Sequence, residues 1–274
     1  LLSDSGALAR NDPDVLIDLQ RTLYVFAQPF VLVLLVAATI YLTVRAYRSR
    51  AKFCRVANGK LELPVRGLPA DDLASWERLA TDWGPSGGRT WAVASTDPDR
   101  LEQFVGWAES RAEKVIAIDV PRKVPIGVSL EQPGRVGIDR LLNVLAAKWI
   151  GREGEPAVVV DAGSAVTVDL LHEQGSFAGG VIFPGLRLMA LALHEYTAAL
   201  PLVDATAAMP PGPPGTDTEA AMKLGLLYAV AGGVDAVVRE MASRCTTAPR
   251  VYLTGGDMTP QLAGLMQSRH QFRS

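Results

Sequence analysis

Val158-Val159-Val160-Asp161-Ala162-Gly163-Ser164-Ala165-Val166-Thr167-Val168-Asp169 is an apolar run that breaks at Asp-x-Gly-Ser and then resumes. Three β-branched aliphatic residues in a row favour a strand covered on both faces, followed by a tight turn and a second strand paired back onto the first. Gly163 lets the backbone pass close to a ligand with no Cβ in the way. Asp161 and Ser164 stand at the turn, where a carboxylate can hold a cation and a hydroxyl with free amides can meet a phosphate. An ordinary hairpin, whose Asp and Ser bond only their own turn, fits this stretch equally well.

Downstream, Gly175 to Gly185 places four glycines and one proline around a short apolar strand, a density that suggests sharp turning and close approach. Leu186 to Thr197 has helical spacing, with Leu188, Leu191, Ala192 and Tyr196 available for a buried face. Pro210-Pro211-Gly212-Pro213-Pro214-Gly215 is a stiff loop. It delivers Thr216-Asp217-Thr218-Glu219 to a long apolar helix, Ala220 to Met241, with a Thr or Asp to cap it. Gly225, Gly232 and Gly233 weaken that helix unless close packing or a bend uses them. Val251-Tyr252-Leu253-Thr254-Gly255-Gly256-Asp257 is a strand running into a Gly-Gly turn, a common way to meet a nucleotide with backbone amides.

Upstream, Arg50 to Val56 and Leu61 to Leu63 flank Asn58-Gly59, a hairpin signal. Leu73 to Thr81 is helical in spacing, Thr90 to Ser95 a strand, Asp97 to Ser110 a helix and Val115 to Asp119 a strand. Strands alternating with helices argue for an α/β lobe. The loop Gly84-Pro85-Ser86-Gly87-Gly88 lacks a Lys followed by Ser or Thr and is not a Walker-type phosphate loop. Gly137-Ile138-Asp139-Arg140 precedes a helical apolar face over Leu141 to Trp149, so Asp139 lies near a helix N-terminus. There it is either a cap with its cationic partner, or a general base beside an anion-holding Arg140.

With 274 residues the chain is long enough for two lobes or one large α/β domain. A net charge of −2 gives no nucleic-acid footprint. The two cysteines, Cys54 and Cys245, lack metal-ligand spacing and fit a reducing compartment, and the three histidines are too scattered for a zinc centre or a triad. Residues 1–48 stand apart. From Leu23 to Val44 about 22 residues carry no charge, enough to cross a bilayer as a helix, and Arg45, Arg48, Arg50 and Lys52 then place the chain beyond that helix in the cytoplasm.

Six motifs occur in one order: Gly-x-Asp-Arg at 137–140, Asp-x-Gly-Ser at 161–164, Gly-Gly-x-Ile-x-Pro-Gly at 179–185, Thr-Ala-x-Leu-Pro at 197–201, Gly-Thr-Asp-Thr at 215–218 and Thr-Gly-Gly-Asp at 254–257. Together they resemble the type III pantothenate kinase family, also known as the Bvg accessory factor family. The resemblance runs from about Ser49 to the C-terminus and is weakest between Gly59 and Val120. It implies an α/β fold of two ribonuclease-H-like lobes, as in actin, hexokinases and sugar kinases, over 49–150 and 151–274. It also implies a cytoplasmic homodimer with pantothenate bound at the dimer interface. The implied reaction transfers the ATP γ-phosphate to the primary hydroxyl of pantothenate, giving 4'-phosphopantothenate and opening coenzyme A synthesis, with Mg2+ and a monovalent cation, K+ or NH4+.

By motif, the resemblance makes Asp139 the proton acceptor, and Gly137, Ile138, Asp139, Arg140 and Thr218 the pantothenate contacts. Asp161 becomes the cation ligand, and Gly163, Ser164, Gly255 and Gly256 the ATP contacts. One part of the pattern is missing. The family opens with Asp-x-Gly-Asn-Thr or Ser, whose carboxylate and amides hold phosphates and magnesium, and here Arg45, Ala46, Tyr47 and Arg48 precede Ser49. The first lobe is thus expected to be disrupted by the apolar helix. One account is a frameshift or faulty fusion that put foreign residues ahead of a kinase. The other is a membrane-tethered homologue with impaired catalysis, acting as a binding or regulatory protein.

Overall fold

A computed structural model describes residues 50–57, 60–69, 72–84, 88–207 and 209–267. They form two units that divide between Arg152 and Glu153. The apolar segment 23–44, like all of residues 1–48, lies outside the described residues, as do Asn58 and Gly59.

In the N-terminal unit, β1 (Arg50–Ala57) and β2 (Lys60–Pro69) pair antiparallel around the Asn-Gly position, as the sequence predicts. β2 runs beyond the expected Leu63, and exposed Arg55 and Glu62 face each other across the hairpin at 3.5 Å. Helix α1 (Leu73–Asp82) starts where the Asp72 carboxylate accepts the Ser75 N–H at 3.1 Å, replacing a bond that the first turn cannot make internally. β3 (Thr90–Ala94) and β4 (Lys114–Ile118) are parallel, joined through α2 (Pro98–Glu109). Asp97 caps α2, and Pro98 occupies its first turn, where a missing N–H is harmless. A two-residue strand, β5 (Gly127–Val128), precedes α3 (Ile138–Ile150), whose Leu141, Leu142, Val144 and Leu145 are buried.

The core of this unit around the hairpin is aromatic. Phe53, Trp76, Trp91 and Phe104 are buried together, with Trp91 edge-on to both Phe53 (6.2 Å, 85°) and Phe104 (5.4 Å, 81°). Such edge-to-face contacts place positive ring edges on negative faces. Beside them sits a buried carboxylate that sequence reading did not anticipate. Glu113 accepts from Arg89 Nε at 2.9 Å and from the Trp91 indole N–H, while Arg89 also donates to the Ala80 carbonyl at 2.6 Å.

In the C-terminal unit the valine-rich stretch at 158–169 folds as its sequence predicts. β6 (Ala157–Ala162) pairs antiparallel with β7 (Ala165–Leu171), with Asp161 opposite Thr167 and Ala162 opposite Val166. β7 pairs antiparallel with β8 (Ser176–Pro184), and β9 (Arg250–Thr254) lies parallel to the other edge of β6. Gly179, at φ +101°, sits beside the irregularity in the β7–β8 register, a backbone position that favours glycine. The sheet packs on α4 (Leu186–Glu195), α5 (Thr218–Ala242) and α6 (Pro260–Gln267). Val158, Val160, Val166 and Val168 meet Leu226, Leu227, Val230 and Val234 of α5 in one core.

One expectation needs correction. α4 buries Leu186 and Ala190, whereas Leu188, Leu191 and Tyr196 are 49%, 43% and 88% exposed. The helix is apolar on more than one side, so hydrophobic spacing alone chose the wrong face. In α5 a Cβ at Gly225 or Gly232 would meet open space, so close packing does not account for those glycines. α5 is long and apolar enough to cross a membrane, but ten of its residues are buried in this protein's own core, which accounts for its composition.

Removing Arg89 leaves Glu113 buried without its nearest cation. Arg89→Met is therefore expected to destabilise the N-terminal unit by about 3 kcal/mol, measured by urea denaturation followed by circular dichroism.

Candidate functional site

Three turns converge at the end of β6. In the first, the Gly163 N–H donates to the Ala165 carbonyl at 3.0 Å, closing the reversal into β7. Gly163 is buried, Asp161 half-buried, and Ser164 exposed at the apex. In the second, Gly185 follows β8 and opens α4; its N–H donates to the Ser164 carbonyl at 3.0 Å. A Cβ on Gly185 would collide with the Gly163 carbonyl oxygen and sit 2.8 Å from that of Ser164. In the third, Thr254-Gly255-Gly256-Asp257 follows β9, with the Asp257 N–H donating to the Ala162 carbonyl at 2.9 Å. Gly255 has φ +110°, and a Cβ there would collide with the Ala162 carbonyl. Glycine at 185 and 255 is thus a requirement of backbone lying on backbone.

The structure therefore gathers Asp161, Gly163, Ser164, Gly255 and Gly256 at one end of the sheet. A half-buried carboxylate, an exposed hydroxyl and a glycine turn suit a cation and an anionic oxygen ligand. Among the described residues no group of three or more His, Cys, Asp or Glu could hold a metal ion by itself. Among those residues Asp161 and Ser164 are oxygen donors that would fit a magnesium ion whose remaining ligands come from water or a bound phosphate.

Thr218 is the first residue of α5 and exposed. The cap is Asp217, whose carboxylate accepts the Ala220 N–H at 2.8 Å. Gly215 lies so close to the first turn of α5 that a Cβ would strike Ala221.

Gly137, Ile138, Asp139 and Arg140 lie at the start of α3 in the N-terminal unit. Gly137 is the N-cap residue and Asp139 stands in the first turn, where the helix dipole favours its charge. The Asp139 carboxylate folds back over Gly137 so closely that a Cβ there would overlap its Oδ1. Ile138 is buried, anchoring the turn, while Asp139 and Arg140 are both half-buried.

Neither cysteine is suited to nucleophilic chemistry. Burial pushes the Cys54 thiol up to about 11 and raises that of Cys245.

One residue of the site escaped sequence reading. Arg187, in the first turn of α4, reaches Asp257 with Nε 3.3 Å from Oδ1. A cation at a helix N-terminus opposes the dipole, and that mismatch is the signal that could have marked it.

The described elements make a mixed α/β protein, and the family that its sequence matches is of the actin-like ATPase kind. More narrowly, the chain belongs to the type III pantothenate kinase family, whose family model matches residues 70–240. It is 46% identical over 138 residues to the type III pantothenate kinase of Rhodopirellula baltica, covering 49% of this chain and 47% of that protein. To the type III pantothenate kinase of Halalkalibacterium halodurans it is 37% identical over 134 residues, covering 49% and 51%. The chain thus spans about half the length of the curated relatives it matches. A solved structure of a conserved Baf family transcriptional activator from Campylobacter jejuni is also similar, with TM-score 0.49 and 16% identity over 80% of this chain and 89% of that one.

Gly255→Ala combines a left-handed φ with a backbone collision and is expected to cost at least about 2 kcal/mol. Gly264→Ala in α6, where a Cβ meets open space, is the control and is expected to be neutral or slightly stabilising. Thermal unfolding of the two variants compares them.

Proposed function

We propose that this protein is an ATP-dependent kinase that phosphorylates the primary hydroxyl of pantothenate, the entry reaction of coenzyme A synthesis. Family membership supports this, and the observation that carries it is the convergence of Asp161, Ser164 and the Gly255-Gly256 turn on the Ala162 backbone. The two units correspond in this reading to two ribonuclease-H-like lobes, 49–150 and 151–274.

Phosphoryl transfer needs positioning, charge stabilisation and one base near the attacking oxygen. Asp139 accepts the proton of the pantothenate hydroxyl, and the start of α3 holds that carboxylate on a fixed helix end. Arg140 takes the pantothenate carboxylate, and Gly137, Ile138 and Thr218 complete the contacts. Gly163, Ser164, Gly255 and Gly256 meet ATP through amides and a hydroxyl. Asp161 holds the monovalent cation, K+ or NH4+. The chemistry that magnesium would supply, if bound there, is neutralisation of phosphate charge.

An apolar stripe supports the homodimer with its pantothenate site at the interface. Leu188, Leu191 and Tyr196 lie exposed along α4, an arrangement that fits a covered surface better than a solvated one. The kinase lobes are assigned to the cytoplasm. The alternative, a membrane-tethered binding or regulatory protein, is not favoured by family membership.

ATP-dependent formation of phosphopantothenate by this chain is expected to be slow, and Asp139→Asn to lower kcat a further ~10²-fold or more, on the order of general-base contributions. Unchanged turnover in that variant removes Asp139 from the mechanism. Pantothenate affinity measured with and without ATP separates the kinase from the binding protein. Leu188→Asp with Leu191→Asp is expected to yield monomers in sedimentation experiments where the parent chain is dimeric.

A further inference from the structure

We infer that Arg187 is a positioning residue that fixes the Thr254–Asp257 turn in its nucleotide-receiving form, an inference that rests on reading Gly255 and Gly256 as ATP contacts. Arg187 lies two residues after Gly185, in the first turn of α4, where the dipole opposes a positive charge. A partner must offset that, and Asp257 does so: its side chain is only 5% exposed, and that of Arg187 28%. Arg187 Nη2 also donates to Thr206 Oγ1 at 3.4 Å. Thr206 in turn gives its hydroxyl (2.7 Å) and its N–H (2.9 Å) to Asp204 Oδ1. These bonds hold the Asp204 carboxyl below the usual carboxylate range, with the Arg187 charge contributing.

One guanidinium therefore ties three segments: the start of α4, the turn after β9 and the loop at 204–206. The backbone contacts of Gly185 and Gly255 join the α4 and β9 turns to the β6–β7 turn, and the Arg187–Asp257 pair joins those two to each other. The ring of turns is closed by a charge pair. Neutralisation matters as much as geometry. Asp257 sits one residue after Gly256, and a buried carboxylate without its cation would repel the phosphates that the Gly255-Gly256 amides attract. A guanidinium fork can serve Asp257 and Thr206 at once, which a lysine ammonium does less well.

The test is binding of a fluorescent ATP analogue, mant-ATP with Mg2+, and of pantothenate, to the full chain and to variants whose folding is verified by circular dichroism. Arg187→Met is expected to weaken mant-ATP at least tenfold and leave pantothenate affinity within twofold. Arg187→Lys is expected to be intermediate, and Arg187→Met with Asp257→Asn to recover to within threefold of the parent. A merely structural role would lower the melting temperature and leave the affinity of folded variants unchanged, and that result overturns the inference. Equal loss of pantothenate and nucleotide affinity overturns it too. If Arg187→Met does not fold, Arg187→Lys decides, with at least threefold weaker nucleotide binding expected and parental affinity overturning the inference. Parent protein that binds no mant-ATP overturns the nucleotide reading itself, whereas parent that binds and Arg187→Met that binds equally well overturns only the role of Arg187.

Discussion

The backbone of Ala162 is the point on which the C-terminal unit depends. Its carbonyl accepts the Asp257 N–H, and the space beside it admits Gly255 only because that residue has no Cβ. The rest of the site is arranged around this contact. β9 must lie parallel to β6 for its following turn to arrive there, and the long core helix α5 must cover the face of the sheet that carries Val158 and Val160. A strand of three valines ending in Asp-Ala-Gly-Ser meets both demands within seven residues. The valines supply burial, and the turn supplies polar groups at the place where burial ends.

Much of this was legible in the sequence because the deciding signals are local. The β6–β7 hairpin follows from a β-branched run interrupted by a glycine turn, and the β1–β2 hairpin from Asn58-Gly59. The start of α5 follows from a capping Thr or Asp, and Asp217 does accept a first-turn N–H; Asp72 and Asp97 cap α1 and α2 in the same way without having been read as caps. The position of Asp139 in the first turn of α3 was also readable. What was not readable involves partners distant in sequence. Glu113 finds Arg89 and Trp91 more than twenty residues away, and Arg187 finds Asp257 seventy residues away. A charged residue in isolation is properly expected at the surface, and nothing local announces its partner.

The misread face of α4 has a different origin. Leu186, Leu188, Met189, Ala190, Leu191 and Leu193 surround the helix, so period alone does not say which side meets the sheet. The turn decides it. Gly185 is pinned to the Ser164 carbonyl, and that fixes the rotation at which α4 begins, burying Leu186 and Ala190 and turning Leu188 and Leu191 outward. The same rotation brings Arg187 round to Asp257. The exposed stripe and the charge pair are two results of one backbone contact.

The aromatic core of the N-terminal unit gives the molecule an optical asymmetry. All five tryptophans precede residue 150, and four of them, Trp76, Trp83, Trp91 and Trp107, are packed ring against ring around the hairpin and α2. From Glu153 onward the aromatic side chains are phenylalanine and tyrosine only. Indole emission is therefore a private signal of the N-terminal unit, and the tyrosines alone speak for the glycine turns. Excitation at wavelengths selective for tryptophan follows one unit while the other is silent, so the order in which the two units lose their structure is written in the protein's own chromophores, without a label.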